Sequence, residues 1–150
     1  MNKKTVTWIL VADGHRARVF ANEGPGLGLK QALDQEFVHM LPPDRDLAAD
    51  KAGSARSGAG GSHHTLDHHE NLHRHEKEVF ARELADKLDA YAAQHAFDRL
   101  IVIAPPQALG NLRAAFSKAV TAKLAGDLDK DLTHASLGDL QEHLAGMLEV

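Results

Sequence analysis

The chain of 150 residues contains no cysteine. Disulfide staples, a thiolate nucleophile, iron–sulfur clusters and cysteine-type zinc sites are excluded with it. Long apolar runs are also missing. The longest, Trp8 to Ala12 and Leu100 to Ala104, fall far short of the ~20 residues that a membrane-spanning helix needs. Lys3 and Lys4 precede only a short apolar stretch that breaks at Asp13-Gly14, which is not the pattern of a secretory signal, so a cytoplasmic protein without a membrane partner is expected. No charge of one sign dominates: 17 Lys and Arg stand against 21 Asp and Glu, a formal net charge of −4. Neither G-x-x-x-x-G-K-[ST] nor G-x-S-x-G occurs, which removes the motif arguments for a P-loop and for a serine hydrolase. There is no internal repeat. At 43% hydrophobic and 25% charged residues the composition is that of a globular protein, and the length suits one domain over residues 1–150.

Histidine is what the chain has in excess. Six of its eleven histidines (His63, His64, His68, His69, His73, His75) lie within thirteen positions. Imidazole titrates near neutrality, so mild acid or a polyanionic surface turns this segment cationic, and the small negative total does not exclude a nucleic-acid partner.

Thr5 to Ala12 is rich in β-branched and aromatic residues and predicts a strand. Asp13-Gly14 predicts a hairpin turn, and the alternating run His15 to Ala21 a second strand with Ala17, Val19 and Ala21 on one face. A third, weaker strand is expected within Leu29 to Met40. Pro42 to Ser62 changes composition, mostly to Pro, Asp, Ala, Gly, Ser and Arg with one leucine, and residues 42–64 are expected to form a long Gly-rich loop. From about His68 to His95 the apolar period is helical, through Leu72, Val79, Phe80, Leu84, Leu88 and Tyr91. Asp98 to Ala104 is a continuous apolar run, the pattern of a strand buried on both faces. Leu109, Leu112, Phe116, Val120 and Leu124 predict one further helix with a stop at Gly126. Asp127 to His134 predicts a short edge strand or loop, and Ser136 with Asp139 a cap for a last helix. The order is β-β-β-α-β-α-β-α, an α/β fold with a mixed sheet covered by helices.

Four groups of residues carry candidate chemistry. His69-Glu70-Asn71-Leu72-His73 fits the pattern H-E-x-x-H, in which two histidines one helical turn apart bind zinc and the glutamate acts as general base. Zinc would still need a third ligand from elsewhere in the chain, and the solvated start of a helix explains the same residues, so no metal or other cofactor is assigned. Gly58, Gly60 and Gly61 allow unusual backbone angles and close approach to a partner, beside Ser62, His63 and His64. Arg16 and Arg18 on the hairpin, Arg56 in the loop, and Arg113, Lys118 and Lys123 on the later helix can contact phosphates. A metal-dependent nuclease would need converging carboxylates, for which Asp13, Glu70 or Glu76, Asp98 and Asp127 are available.

Several stretches together resemble a bacterial family: WILVADGHRARVFA (Trp8 to Ala21), FARELADKLD (Phe80 to Asp89), FDRLIVIAPPQALGNLR (Phe97 to Arg113) and DLDKDLTH (Asp127 to His134). They are similar to the host-attachment proteins, a release-factor-like family described as required for attachment to host cells. The wider kinship implied is to the middle domain of archaeal and eukaryotic class-1 release factors. That kinship implies a ribonuclease-H-like topology, a Gly-Gly-Gln loop ahead of a long helix, and the ribosome or tRNA as partner. Gly60 and Gly61 stand at a similar place here, with Ser62 where the glutamine would be. Peptidyl-tRNA hydrolysis is therefore not carried over. The expectation is a non-catalytic binding domain acting through Arg56, Gly58, Gly60, Gly61, Ser62, His63, His64 and Arg113. The alternatives are a metal-dependent hydrolase centred on His69, Glu70 and His73, and a factor for host attachment by another route.

Overall fold

A computed structural model describes residues 4–39 and 61–148, with the side chains of 61–69 outside the description. The strands are β1 (Thr7–Ala12), β2 (Arg16–Asn22), β3 (Lys30–Gln31), β4 (Phe37–Val38), β5 (Arg99–Ala104) and β6 (Leu124–Asp129). The helices are α1 (Gly61–Ala93), α2 (Pro106–Ala115), α3 (Lys118–Lys123) and α4 (Leu137–Leu144). The strands form one mixed sheet in the order β3-β2-β1-β5-β6, with β4 also pairing with β2. β1 runs antiparallel to β2 and parallel to β5, and β5 runs parallel to β6.

Residue type dictates this arrangement. β1 reads TWILVA and all six of its residues are buried, as are the last five of β5. A strand apolar on both faces is stable only where both faces are covered. On one face lie Trp8, Leu10, Val19, Leu100 and Val102 against Phe80, Leu84 and Leu88 of α1 and Leu112 of α2. On the other, Ile9, Val11, Phe20, Ile101 and Ile103 pack under Leu140 and Leu144 of α4. The only tryptophan joins the aromatic residues nearest the foot of the sheet: Trp8 stacks on Phe97 at 4.9 Å and meets Tyr91 at 5.2 Å.

Four expectations need correction. The third strand is reduced to two separate two-residue pairings, at Lys30–Gln31 and Phe37–Val38. The helix predicted through Leu124 is two: Phe116 and Ser117 are extended, and the Ser117 hydroxyl accepts the Val120 N–H at 3.1 Å while donating to Asp89 at 2.7 Å. A serine that caps the next turn ends the previous one. Gly126 is no helix stop; it lies within β6 opposite Ile101, just after a bulge. Finally α1 begins at Gly61, so Gly61, Ser62, His63 and His64 form its first turn instead of a loop, while Pro42 to Gly60 lie outside the described residues. The Ser136 cap does form, its hydroxyl accepting the Asp139 N–H at 3.1 Å.

α1 ends with His95 at φ 60°, the left-handed conformation, closed by bonds from the His95 N–H to the Ala92 carbonyl and from the Ala96 N–H to the Tyr91 carbonyl, each 3.0 Å. Glycine adopts that conformation at no steric cost. His95→Gly is expected to raise stability by about 0.5–1 kcal/mol and His95→Val to lower it; urea unfolding of the two variants measures both signs.

Candidate functional site

In open sheets with parallel strands, ligands collect where the strands end at their carboxyl termini. At that end β1 runs into Asp13, β5 into Pro105 and β6 into Lys130 and Asp131. The Asp13 carboxylate is occupied by the fold. One oxygen accepts the backbone N–H groups of His15 at 2.7 Å and Arg16 at 2.8 Å, closing the hairpin turn. The other lies 3.3 Å from the hydroxyl of Thr133, whose single proton has a nearer acceptor in Asp131 at 2.9 Å. Arg18 on β2 donates to the carbonyls of Thr133 at 2.7 Å and Ala135 at 3.0 Å, with its guanidinium 4.8 Å above the ring of Phe20. Arg113 of α2 pairs with Asp127 of β6.

The stretches Trp8 to Ala21, Phe97 to Arg113 and Asp127 to His134 therefore meet in space and fasten one another. Arg113 already has a carboxylate partner. Asp98 sits at the opposite end of the sheet, where it accepts the Val6 N–H at 2.8 Å. A six-residue strand, about 20 Å, separates it from Asp13. The carboxylates needed for a two-metal nuclease do not converge, and among the described residues no group of three His, Asp or Glu side chains is placed to hold a metal ion. Of the H-E-x-x-H pattern, His69 lies on α1 with its side chain outside the description, Glu70 is exposed, and His73 is turned to the hairpin tip. Arg56, Gly58 and Gly60 lie outside the described residues.

Among the described residues there is also a group of titratable side chains that sequence spacing did not reveal. It lies where the hairpin tip and the end of β4 rest on α1. Gly14 packs against the stem of Lys77: a Cβ there would lie 2.8 Å from the Lys77 Cγ. The glycine is needed for close approach, not for a positive φ. Beside it His15 is half-buried, with its Nδ1 sealed from solvent and without a hydrogen-bond partner. Its neighbours are Asp13, Lys77, His73 and His39. His39, with a side chain 10% exposed, lies against Phe80 with ring centroids 5.6 Å apart. Its Nε2 is 2.7 Å from Glu76 and its Nδ1 3.3 Å from Glu83. Its backbone N–H donates to the His15 carbonyl at 2.7 Å. Pairing between positions 15, 39, 73, 76 and 83 is set by tertiary contact, so no local motif announces it.

A family model described as a protein required for attachment to host cells matches residues 8–144. The chain belongs to this family. No curated protein matches this host-attachment chain in sequence. Among solved structures it is similar to an archaeal translation termination factor, at 12% identity and a TM-score of 0.49 over 94% of this chain. The chain spans about two fifths of that protein's length, covering 41% of it. No helix among the described residues is long and apolar enough to cross a membrane.

Burial holds the His15 imidazole below its ordinary 6.5; Asp13 opposes this, while Lys77, His73 and His39 add to it. The folded protein thus binds this proton less readily than the unfolded chain, and stability falls as pH drops below about 6.5. Replacing His15 by asparagine is expected to flatten that part of the profile between about pH 5 and pH 7, as read from urea midpoints of the two proteins.

Proposed function

We propose that this protein is a non-catalytic binding domain of ribonuclease-H-like architecture that works in the cytoplasm at the ribosome or on tRNA. Its contact element in this reading is the segment 42–64. Gly58, Gly60 and Gly61 give the partner's backbone close access, while Arg56, His63 and His64 meet phosphates.

The observation that carries this reading is the anchorage of the segment's two ends on one helix. The chain leaves β4 through His39, whose ring lies between Glu76 and Glu83 of α1, and it returns as the first turn of that same helix at Gly61. Among the α1 residues whose burial is described, the first buried one is Phe80, while Glu70 to Val79 remain exposed or half-buried and the backbone extends back to Gly61. The full 33-residue helix measures about 50 Å, longer than the six-residue strands it covers. Such a helix can hold a contact element away from the sheet. The strand order, an antiparallel pair followed by parallel strands added on the far side of β1, supports the ribonuclease-H-like assignment. The commitment of Asp13, Arg113 and Asp127 to internal bonds supports binding over catalysis.

Co-sedimentation tests the proposal. The wild-type chain is expected to travel with ribosomes, or to shift tRNA in a gel, at low salt and to dissociate as salt rises, because phosphate contacts release counterions. Deletion of residues 44–58 should abolish the association while leaving the circular dichroism spectrum intact. Failure to associate at low salt with material from growing and stationary cells overturns the proposal. The family description favours a second reading, a part in host attachment that involves no RNA. It predicts full attachment by cells that carry the 44–58 deletion.

A further inference from the structure

The junction between the end of β4 and α1 has a hydrogen-bonding pattern that depends on a proton. Glu76, Phe80 and Glu83 occupy one stripe of α1, at the spacing that brings successive turns onto one face. The His39 ring lies over Phe80 with one nitrogen directed at each carboxylate, 2.7 Å from Glu76 and 3.3 Å from Glu83. Ionised carboxylates only accept hydrogen bonds, and a neutral imidazole carries one N–H and one bare lone pair. Only the imidazolium can donate to both glutamates. The neutral ring sets its lone pair against one of them.

We propose that this junction is a proton-dependent clamp: the His39 imidazolium, seated over Phe80 between Glu76 and Glu83, holds the end of β4 on α1, and loss of the proton opens one of its two side-chain bonds. The charged groups around the clamp and the hairpin tip beside it come from two elements. Glu76, Glu83, Lys77 and His73 belong to α1, and Asp13 and His15 to the hairpin tip. Lys87 of α1 lies 4.9 Å over the ring of Phe37, two residues before His39. His15 is the counterweight. Its sealed Nδ1 has no acceptor, so the site it occupies favours the neutral ring next to Lys77 and His73. The two histidines, tied by the bond from the His39 N–H to the His15 carbonyl, thus sit in opposite surroundings: carboxylates at both ring nitrogens of His39, and no acceptor at the sealed nitrogen of His15. The junction is tightest where His39 is charged and His15 is not. Imidazole is the side chain that exchanges its proton across this pH range. The clamp stands or falls separately from ribosome binding, because its readout is a backbone amide of the isolated protein.

Native-state hydrogen exchange of the His39 amide tests it, after correction for intrinsic exchange. From about pH 6 to pH 8 the protection of this amide is expected to fall about fivefold relative to the amides of Val11 and Ile103, the worth of one half-exposed charged hydrogen bond. In His39→Gln the residue-39 amide should be less protected and insensitive to pH. Glu83→Gln is the discriminating variant, since the carboxamide can accept from an imidazolium or donate to a bare ring nitrogen. It should keep the protection and lose the alkaline fall. His73→Asn should leave that fall in place. A flat wild-type profile, an alkaline fall that survives His39→Gln, or one that disappears in His73→Asn overturns the proposal.

Discussion

The parallel pairing of β1 with β5 is the constraint on which everything else rests. Both strands are buried on both faces, and their side chains supply the centre of each apolar layer. Fully burying one large aliphatic side chain contributes about 1.5–3 kcal/mol. Ile9, Leu10, Ile101 and Ile103 alone, all at 0–1% exposure, outweigh any surface ion pair in the molecule. Joining two parallel neighbours requires a crossover over the sheet, and α1 lies within that crossover. The position of β1 then fixes where Asp13 emerges, and the position of α1 fixes what the hairpin tip rests on.

The fold was legible where local chemistry is strong. TWILVA and RLIVIA announce buried strands by composition, and Ser136 with Asp139 announces a cap by spacing. Phe80, Leu84 and Leu88 announce the face of α1 that meets the sheet. Legibility failed where two local preferences compete. Ser117 sits in an apolar period that runs smoothly from Leu109 to Leu124, and its hydroxyl breaks that period by capping the next turn. The alternation in β2 showed Ala17, Val19 and Ala21 facing one way but concealed that Phe20, on the opposite face, enters a second apolar layer. Within Leu29 to Met40 the apolar residues are interrupted by Lys30-Gln31 and by Asp34-Gln35-Glu36, too broken a run to hold a continuous pairing.

The site was less legible than the fold, for a physical reason. The histidine-rich tract draws the eye because its members are adjacent in sequence. The histidine whose two ring nitrogens meet carboxylates is His39, which stands outside the tract, as does its neighbour His15. Their environment is created by folding: a glycine that admits Lys77, a phenylalanine under an imidazole, and two glutamates two turns apart. Three of the four stretches that marked the family prove to be mutual fasteners, with Arg18 holding Thr133 and Ala135, and Arg113 holding Asp127. Family likeness in this chain therefore traces the joints of the scaffold.

The two faces of the sheet are covered unequally. Among the described residues three helices lie over one face, whereas the eight residues of α4 are the only helix over the other. Proteolytic cleavage before Ser136 would remove that cover in a single cut, along with the two leucines that seal it. It would lay bare a contiguous strip of Ile9, Val11, Phe20, Ile101 and Ile103. A strip of that kind on a sheet is a template for self-association. A cut between β6 and α4 would thus expose the second face of the sheet to self-association while the α1 side of the core kept its cover.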